Sequence, residues 1–132
     1  MRERKYRAWA DGKMHYPTEE MWWYIAPNGY WSLNIGDGLG EIICDSLESK
    51  DAELMDFIGL KDKNGKEIYE GDVIQGNLIK YSPLPTMGTI VWDKEFASFA
   101  NQNEAGNTLL FEIDRIKIIG NKFQNPELKD TL

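Results

Sequence analysis

Apolar side chains along this chain come in short runs separated by Gly, Pro, Asn and Asp, and few of them repeat at helical spacing. That pattern predicts hairpins rather than helices. Lys5 to Trp9 and Lys13 to Tyr16 flank Ala10-Asp11-Gly12, an Asp-Gly step between aromatic runs that reads as a first hairpin. Met21 to Leu33, MWWYIAPNGYWSL, repeats the pattern around Pro27-Asn28-Gly29, which supplies the fixed and positive φ values of a tight turn. Asn34 to Gly40, with three glycines in seven residues, reads as a mobile loop, and Glu41 to Cys44 as a short buried strand. Ser46 to Phe57 is ambiguous: its Ala, Glu, Leu and Met favour helix, but its apolar positions trace a helical face only in part. We read it as a turn leading into an extended Leu54 to Leu60. Strands are expected at Asp72–Lys80, Thr86–Asp93, Phe96–Ala100, Leu109–Ile113 and Arg115–Lys122, with Pro83 and Pro85 excluding a central strand between the first two. Asn125-Pro126 places a capping residue before a proline and predicts one helical turn at the end.

The densest polar stretch, GLKDKNGKEIYEGDVI from Gly59 to Ile74, invites two site readings. As a calcium loop it fails, because setting Gly65 at the sixth position puts Leu60 first and Gly71 twelfth, neither able to supply a ligand. As a phosphate loop it fails on spacing, with five residues between Gly59 and Gly65, and Glu67 where Ser or Thr should follow Lys66. It does satisfy a hairpin with an Asn64-Gly65 turn, then Glu70-Gly71-Asp72 turning the chain into Val73-Ile74. Gly59, Asp62, Asn64, Gly65, Glu70, Gly71 and Asp72 are therefore assigned to a structural corner.

This stretch, together with KYRAWADGKMHY near the amino end and IIGNKFQNPEL near the carboxyl end, closely resembles the YopX family of small phage-encoded and prophage-encoded proteins. The three anchors occur in the family's order and span nearly the whole chain. Ile58 stands where the family pattern has Thr, and Lys122 where it prefers an apolar residue. The resemblance implies a mostly β fold and a bacterial cytoplasmic setting, and it carries over no catalytic residue.

At 132 residues the chain is of single-domain size, and 42% hydrophobic and 12% aromatic content exclude global disorder. We expect one domain over 1–132, built from an amino-terminal aromatic hairpin unit (1–58) and a barrel-like unit (59–132). Cys44 is the lone cysteine, which rules out an internal disulfide and leaves too few thiolates for a structural zinc site. No apolar run approaches a membrane span and no apolar segment follows the basic start, so no membrane association and a cytoplasmic location are expected. The net charge of −7 is uneven: residues 1–16 hold five bases and two acids, residues 17–58 one base and nine acids. The simplest reading of both segments is solvated surface.

Candidate chemistry is sparse. His15 is the lone histidine and reads as an ordinary strand residue; Cys44, within Ile42-Ile43-Cys44, reads as a small buried hydrophobe. Glu19-Glu20 and Asp93/Glu95 are carboxylate pairs with no pocket legible around them. No catalytic, metal or cofactor residues are assigned. Trp22, Trp23, Tyr24, Tyr30 and Trp31 crowd one hairpin, and since neighbouring strand residues point to opposite faces, Trp22 and Trp23 cannot enter the same core. Trp22, Trp23, Tyr30 and Trp31 are the candidate protein-interaction residues.

The expected fold is all-β, a small partly open barrel or two packed sheets built from hairpins. The expected function is a non-enzymatic adaptor or modulator that binds a host or phage protein and self-associates through the aromatic hairpin. One alternative is a nucleic-acid-binding small barrel using Arg2, Arg4, Lys5, Arg7 and Trp9, whose charges and rings interleave as in single-strand binders, although the rest of the chain is net negative. A second is a hydrolase relying on Asp or Glu alone.

Overall fold

The computed structural model describes residues 4–37, 40–81 and 84–131. Strand makes up 59% of it and helix 7%, so the fold is all-β. The chain divides into two compact units, Lys5–Asp56 and a second one from Phe57 onward.

In the first unit, β1 (Tyr6–Ala10) and β2 (Lys13–His15) form the hairpin expected across Asp11-Gly12, with Ala8 opposite His15. The other side of β1 pairs with the first half of β6 (Glu53–Lys61). Strands β3 (Met21–Ile25), β4 (Trp31–Ile35) and β5 (Glu41–Asp45) form an antiparallel meander with β4 in the middle. The β3–β4 turn closes where the Gly29 N–H donates to the Ala26 carbonyl (3.0 Å) and the Tyr30 N–H to Asn28 Oδ1 (3.0 Å). Asn34 and Ile35, expected in the loop, belong to β4, because Asn34 satisfies its buried amide by donating to Ser32 Oγ (3.0 Å) and the Ser32 carbonyl (3.3 Å). Gly38 and Leu39 of that loop lie outside the described residues. Ala8, Ala10, Trp31, Leu33 and Cys44 make this unit's core, with Trp23 and Leu54 packed against it.

The ambiguous stretch resolves as a turn followed by strand β6. Asp45 accepts the N–H groups of Leu47 (3.0 Å) and Glu48 (2.6 Å) and donates its own N–H to Ser49 Oγ (2.9 Å), which gives the backbone a local alternative to helix.

The second unit contains the latter half of β6, paired with β7 (Glu67–Tyr69), and a five-stranded antiparallel sheet in the order β11-β10-β9-β8-β12 curled into a half barrel. Its strands are β8 (Asp72–Leu78), β9 (Leu84–Asp93), β10 (Ser98–Asn103), β11 (Gly106–Leu109) and β12 (Ile113–Asn121). Three expectations are corrected here. Ile79–Tyr81 is a 3-10 turn rather than the end of a strand, and so is Leu110–Glu112. Pro85 lies within β9: β10 pairs with β9 only from Thr89 onward, so on that side Pro85 occupies an edge, where a missing N–H breaks no ladder bond. The expected last turn is present as a 3-10 segment, Pro126–Thr131. Ile58, Ile68, Ile74 and Ile90 form the core, with Phe99, Leu110, Ile116 and Ile118 around them. Fully burying each of these isoleucines contributes roughly 1.5–3 kcal/mol.

The 59–74 stretch carries the chain from β6 through β7 into β8. The Gly65 N–H donates to the Asp62 carbonyl (2.9 Å) and the Asp62 N–H to the Lys66 carbonyl (2.8 Å), closing the β6–β7 turn. Asp72 accepts the Tyr69 N–H (2.8 Å), and Gly71 donates to the Ile90 carbonyl while accepting from the Lys122 N–H (both 2.9 Å). Gly65 has φ +83 with open space where a Cβ would stand, so strain rather than collision decides its substitution. Gly65→Val is expected to lower the unfolding free energy in urea by more than about 1 kcal/mol, and Gly65→Asn by clearly less, because Asn tolerates the left-handed region.

Candidate functional site

Three aspartates that look chemically available in the sequence are already engaged as hydrogen-bond acceptors within the fold. Asp62 Oδ1 accepts the N–H groups of Asn64 and Lys66 (2.9 Å each), and its Oδ2 accepts the Ile118 N–H of β12 (3.0 Å). Burial raises its pKa, but the donors Ile118, Lys66 and Asn64, with the Lys66 ammonium, outweigh that and hold the carboxyl below its ordinary range. At Asp93 the Asn107 amide (2.9 Å) leads, and against the opposing effect of burial the Phe96 and Glu95 N–H groups add to the lowering. At Asp45 the Glu48 N–H leads; burial opposes it, and Leu47, Tyr30 and Ser49 reinforce it. The Asp93/Glu95 pair is thus a turn cap, and Glu19 and Glu20 are exposed. Cys44 is buried, and burial, followed by the Asp11 and Asp45 carboxylates, pushes its thiol up to about 11. His15 is half-buried with Nε2 3.3 Å from the Ala10 carbonyl. Among the described residues no three His, Cys, Asp or Glu side chains group as metal ligands would.

The aromatic hairpin splits by face as alternation requires. Trp23 points inward, edge-on to Trp31 and to Tyr6 with ring centroids 6.1 Å apart in each pair. Trp31 is buried. Of the four aromatic candidates, Trp23 and Trp31 therefore serve the core. Trp22 faces outward in one cross-strand row with Asn34 and Ile42, and Tyr24 shares the next with Ser32. Trp22, Tyr24 and Ile42 are 39%, 46% and 55% exposed, yet Ser32 and Asn34 between them are buried, so the outer face is an apolar rim over a sealed polar stripe. Tyr30 is half-buried, 6.1 Å from the Tyr24 ring, with its hydroxyl donating to Asp45 Oδ2 (3.3 Å). Ile42 was missed in the sequence, because only the strand register across β4 assigns it to this face. At the end of β3 lies a hollow of about 420 Å³ lined by Glu19, Glu20, Asp37 and Trp22.

Arg7 is buried and its guanidinium donates to the Tyr16 hydroxyl (3.1 Å), Arg4 is exposed, and Lys5 and Trp9 are half-buried; Arg2 lies outside the described residues. A different set of cations, Lys63, Arg115 and Lys117, lines a cleft of about 820 Å³ in the second unit.

A family model described as YopX protein matches residues 5–129. The chain belongs to the YopX family. The crystal structure of YopX from Bacillus subtilis is similar at 25% identity and TM-score 0.67, covering 97% of this chain and 98% of that one. That of protein EF1440 from Enterococcus faecalis shares the fold at 23% identity and TM-score 0.59, covering 98% of this chain and 99% of the other. A search of curated proteins returned no match. The family membership and the all-β fold agree with the three sequence anchors.

Two measurements test the electrostatic assignments. Because the Asp62 pKa is depressed in the fold, its contribution to stability is present above the ordinary value of 3.8 and is lost as pH falls through the folded-state pKa. The unfolding free energy of the wild type should therefore fall steeply below about pH 4, and Asp62→Asn should flatten that acid limb while costing about 2 kcal/mol or more at neutral pH. For Cys44, thiol labelling at pH 8 is expected to be complete in denaturant and negligible in the native state; fast native labelling would contradict the burial.

Proposed function

We propose that this YopX-family protein is a non-enzymatic adaptor or modulator of a phage or its bacterial host, and that the first unit docks an extended basic and apolar segment of a partner protein. The observation that carries this reading is β3. It is an edge strand of its sheet, its five residues Met21–Ile25 include no charge and no proline, and it presents Trp22 and Tyr24 outward. Natural edges usually carry such guards against pairing, and an edge without them suits strand addition. Exposed Trp and Tyr are the side chains that most often anchor interfaces.

Charge gives the partner's chemistry. Glu19, Glu20 and Asp37 surround the hollow beside Trp22, so a Lys or Arg entering there would meet three carboxylates and an indole ring. The non-enzymatic part of the proposal rests on Asp45, Asp62 and Asp93 being held charged as turn caps, and on a Cys44 thiol too basic to serve as a neutral-pH nucleophile.

The test is selection of binding segments from a displayed library of host and phage peptides, followed by titration. Selected segments should be rich in Lys or Arg next to apolar residues. Trp22→Ala with Tyr24→Ala should weaken them about thirtyfold or more, roughly 2 kcal/mol, without a matching loss of melting temperature. Binding indifferent to both substitutions sinks the proposal. Loss of self-association in the same variant would identify the occupant as a second copy of the chain.

A further inference from the structure

A second surface, independent of the aromatic face, is built with more local distortion than a solvated rim requires. In the β8–β12 ladder, Asp114 pairs with Asn77 and Lys117 with Gln75, so Arg115 and Ile116 together oppose the single residue Gly76. This is a β-bulge, a device that re-aims side chains. Gly76 makes room for it: a Cβ there would stand 2.6 Å from Ile113 Cγ2 and 2.8 Å from the Asp114 carbonyl oxygen. Arg115 itself has φ 57, a left-handed conformation uncommon for a residue other than glycine. The β6–β7 corner adds a second element, since the Lys63 N–H donates to the Ile116 carbonyl (2.8 Å) at the bulge. Lys63, Arg115 and Lys117 thereby converge on one cleft, although Lys63 is more than fifty positions away from the other two in the chain.

The charge balance of this cleft is opposite to that of the chain. The protein carries −7, yet the described residues lining the cleft include three cations and no carboxylate. Among the described residues none of these three side chains makes an ion pair or hydrogen bond. Gathering like charges without counter-charges costs free energy that an anionic ligand recovers. The polar lining also includes Gln75 and Asn77, which offer neutral donors and acceptors, while Leu84 and Met87 supply apolar surface. At about 820 Å³ the cleft is far larger than a lone carboxylate needs and lies within the range of small-ligand sites.

We propose that the cleft framed by Lys63, Arg115 and Lys117 binds a phosphate-bearing ligand of nucleotide size, with the cations holding the phosphates and the amides and apolar wall contacting the base. Guanidinium suits this role because its planar fork matches phosphate oxygens. The same chemistry is offered by a free nucleotide and by the phosphodiesters of a single strand.

Calorimetric titration at low salt with pyrophosphate, a nucleoside triphosphate, unphosphorylated nucleoside and a short oligothymidylate separates the cases. Triphosphate tighter than oligothymidylate identifies a free-nucleotide site. Tighter oligothymidylate, with a log–log salt slope of several times about 0.7, identifies a strand site. Arg115→Asn keeps a residue tolerant of positive φ, and Lys63→Ala with Lys117→Ala leaves the bulge untouched, so both variants should retain the melting temperature and lose at least tenfold in affinity. Failure of all phosphate ligands to bind, affinity unchanged in both variants, or equal binding of the unphosphorylated nucleoside would overturn the proposal.

Discussion

The Asp62 carboxylate is the interaction on which the second unit depends. One oxygen closes the β6–β7 turn by accepting from Asn64 and Lys66, and the other reaches the Ile118 N–H, 56 positions along the chain. A single buried anion thus fixes a local turn and a long-range register together. Hydrogen bonds to a charged acceptor are about twice as strong as neutral ones, which is why one side chain can do both. The Gly71 backbone repeats the device at the other end of the corner, joining Ile90 of β9 to Lys122 just past β12. The core isoleucines Ile58, Ile68, Ile74 and Ile90 come from the strands these contacts align.

The same clasp has a consequence at the surface. Holding Ile116 and Ile118 from the corner side places the β12 bulge, and the bulge presents Arg115 and Lys117 to the cleft that Lys63 also lines. A motif rich in Asp, Asn and Gly that resembles a ligand loop therefore acts as a clasp between strands, while the lysine between Asp62 and Asn64 stays exposed at the cleft. Site and corner are separate roles of neighbouring residues.

Charge is sorted between the units in a way that net charge conceals. In the first unit three acids surround a hollow at Trp22, and in the second three bases line a cleft. The aromatic residues are sorted as well: Trp23 and Trp31 fill a core and Trp22 and Tyr24 remain outside, with Ser32 and Asn34 sealed beneath them through mutual hydrogen bonds. A buried Ser–Asn pair on an outer sheet face is tolerable because the amide finds both a hydroxyl and backbone carbonyls.

Local signals determined much of this protein by sequence alone. Asp11-Gly12, Pro27-Asn28-Gly29 and Asn64-Gly65 each mark a real turn, because the φ values they permit are set within one or two residues. Period-two alternation separated Trp22 from Trp23, because strand geometry leaves no other choice. The all-β class and the absence of a long helix were legible for the same reason. Tertiary structure alone decided what depends on partners distant in sequence. Asn34 looked like loop and is strand because Ser32 and the Trp22 carbonyl receive its amide. Pro85 could enter β9 only because β10 begins pairing further on. Ile42 joined Trp22 through register across β4. The cation cleft was invisible for the strongest reason: Lys63 lies in one polar run and Arg115 and Lys117 in another, and it takes the Asp62 clasp together with a two-against-one bulge opposite Gly76 to bring them to one surface.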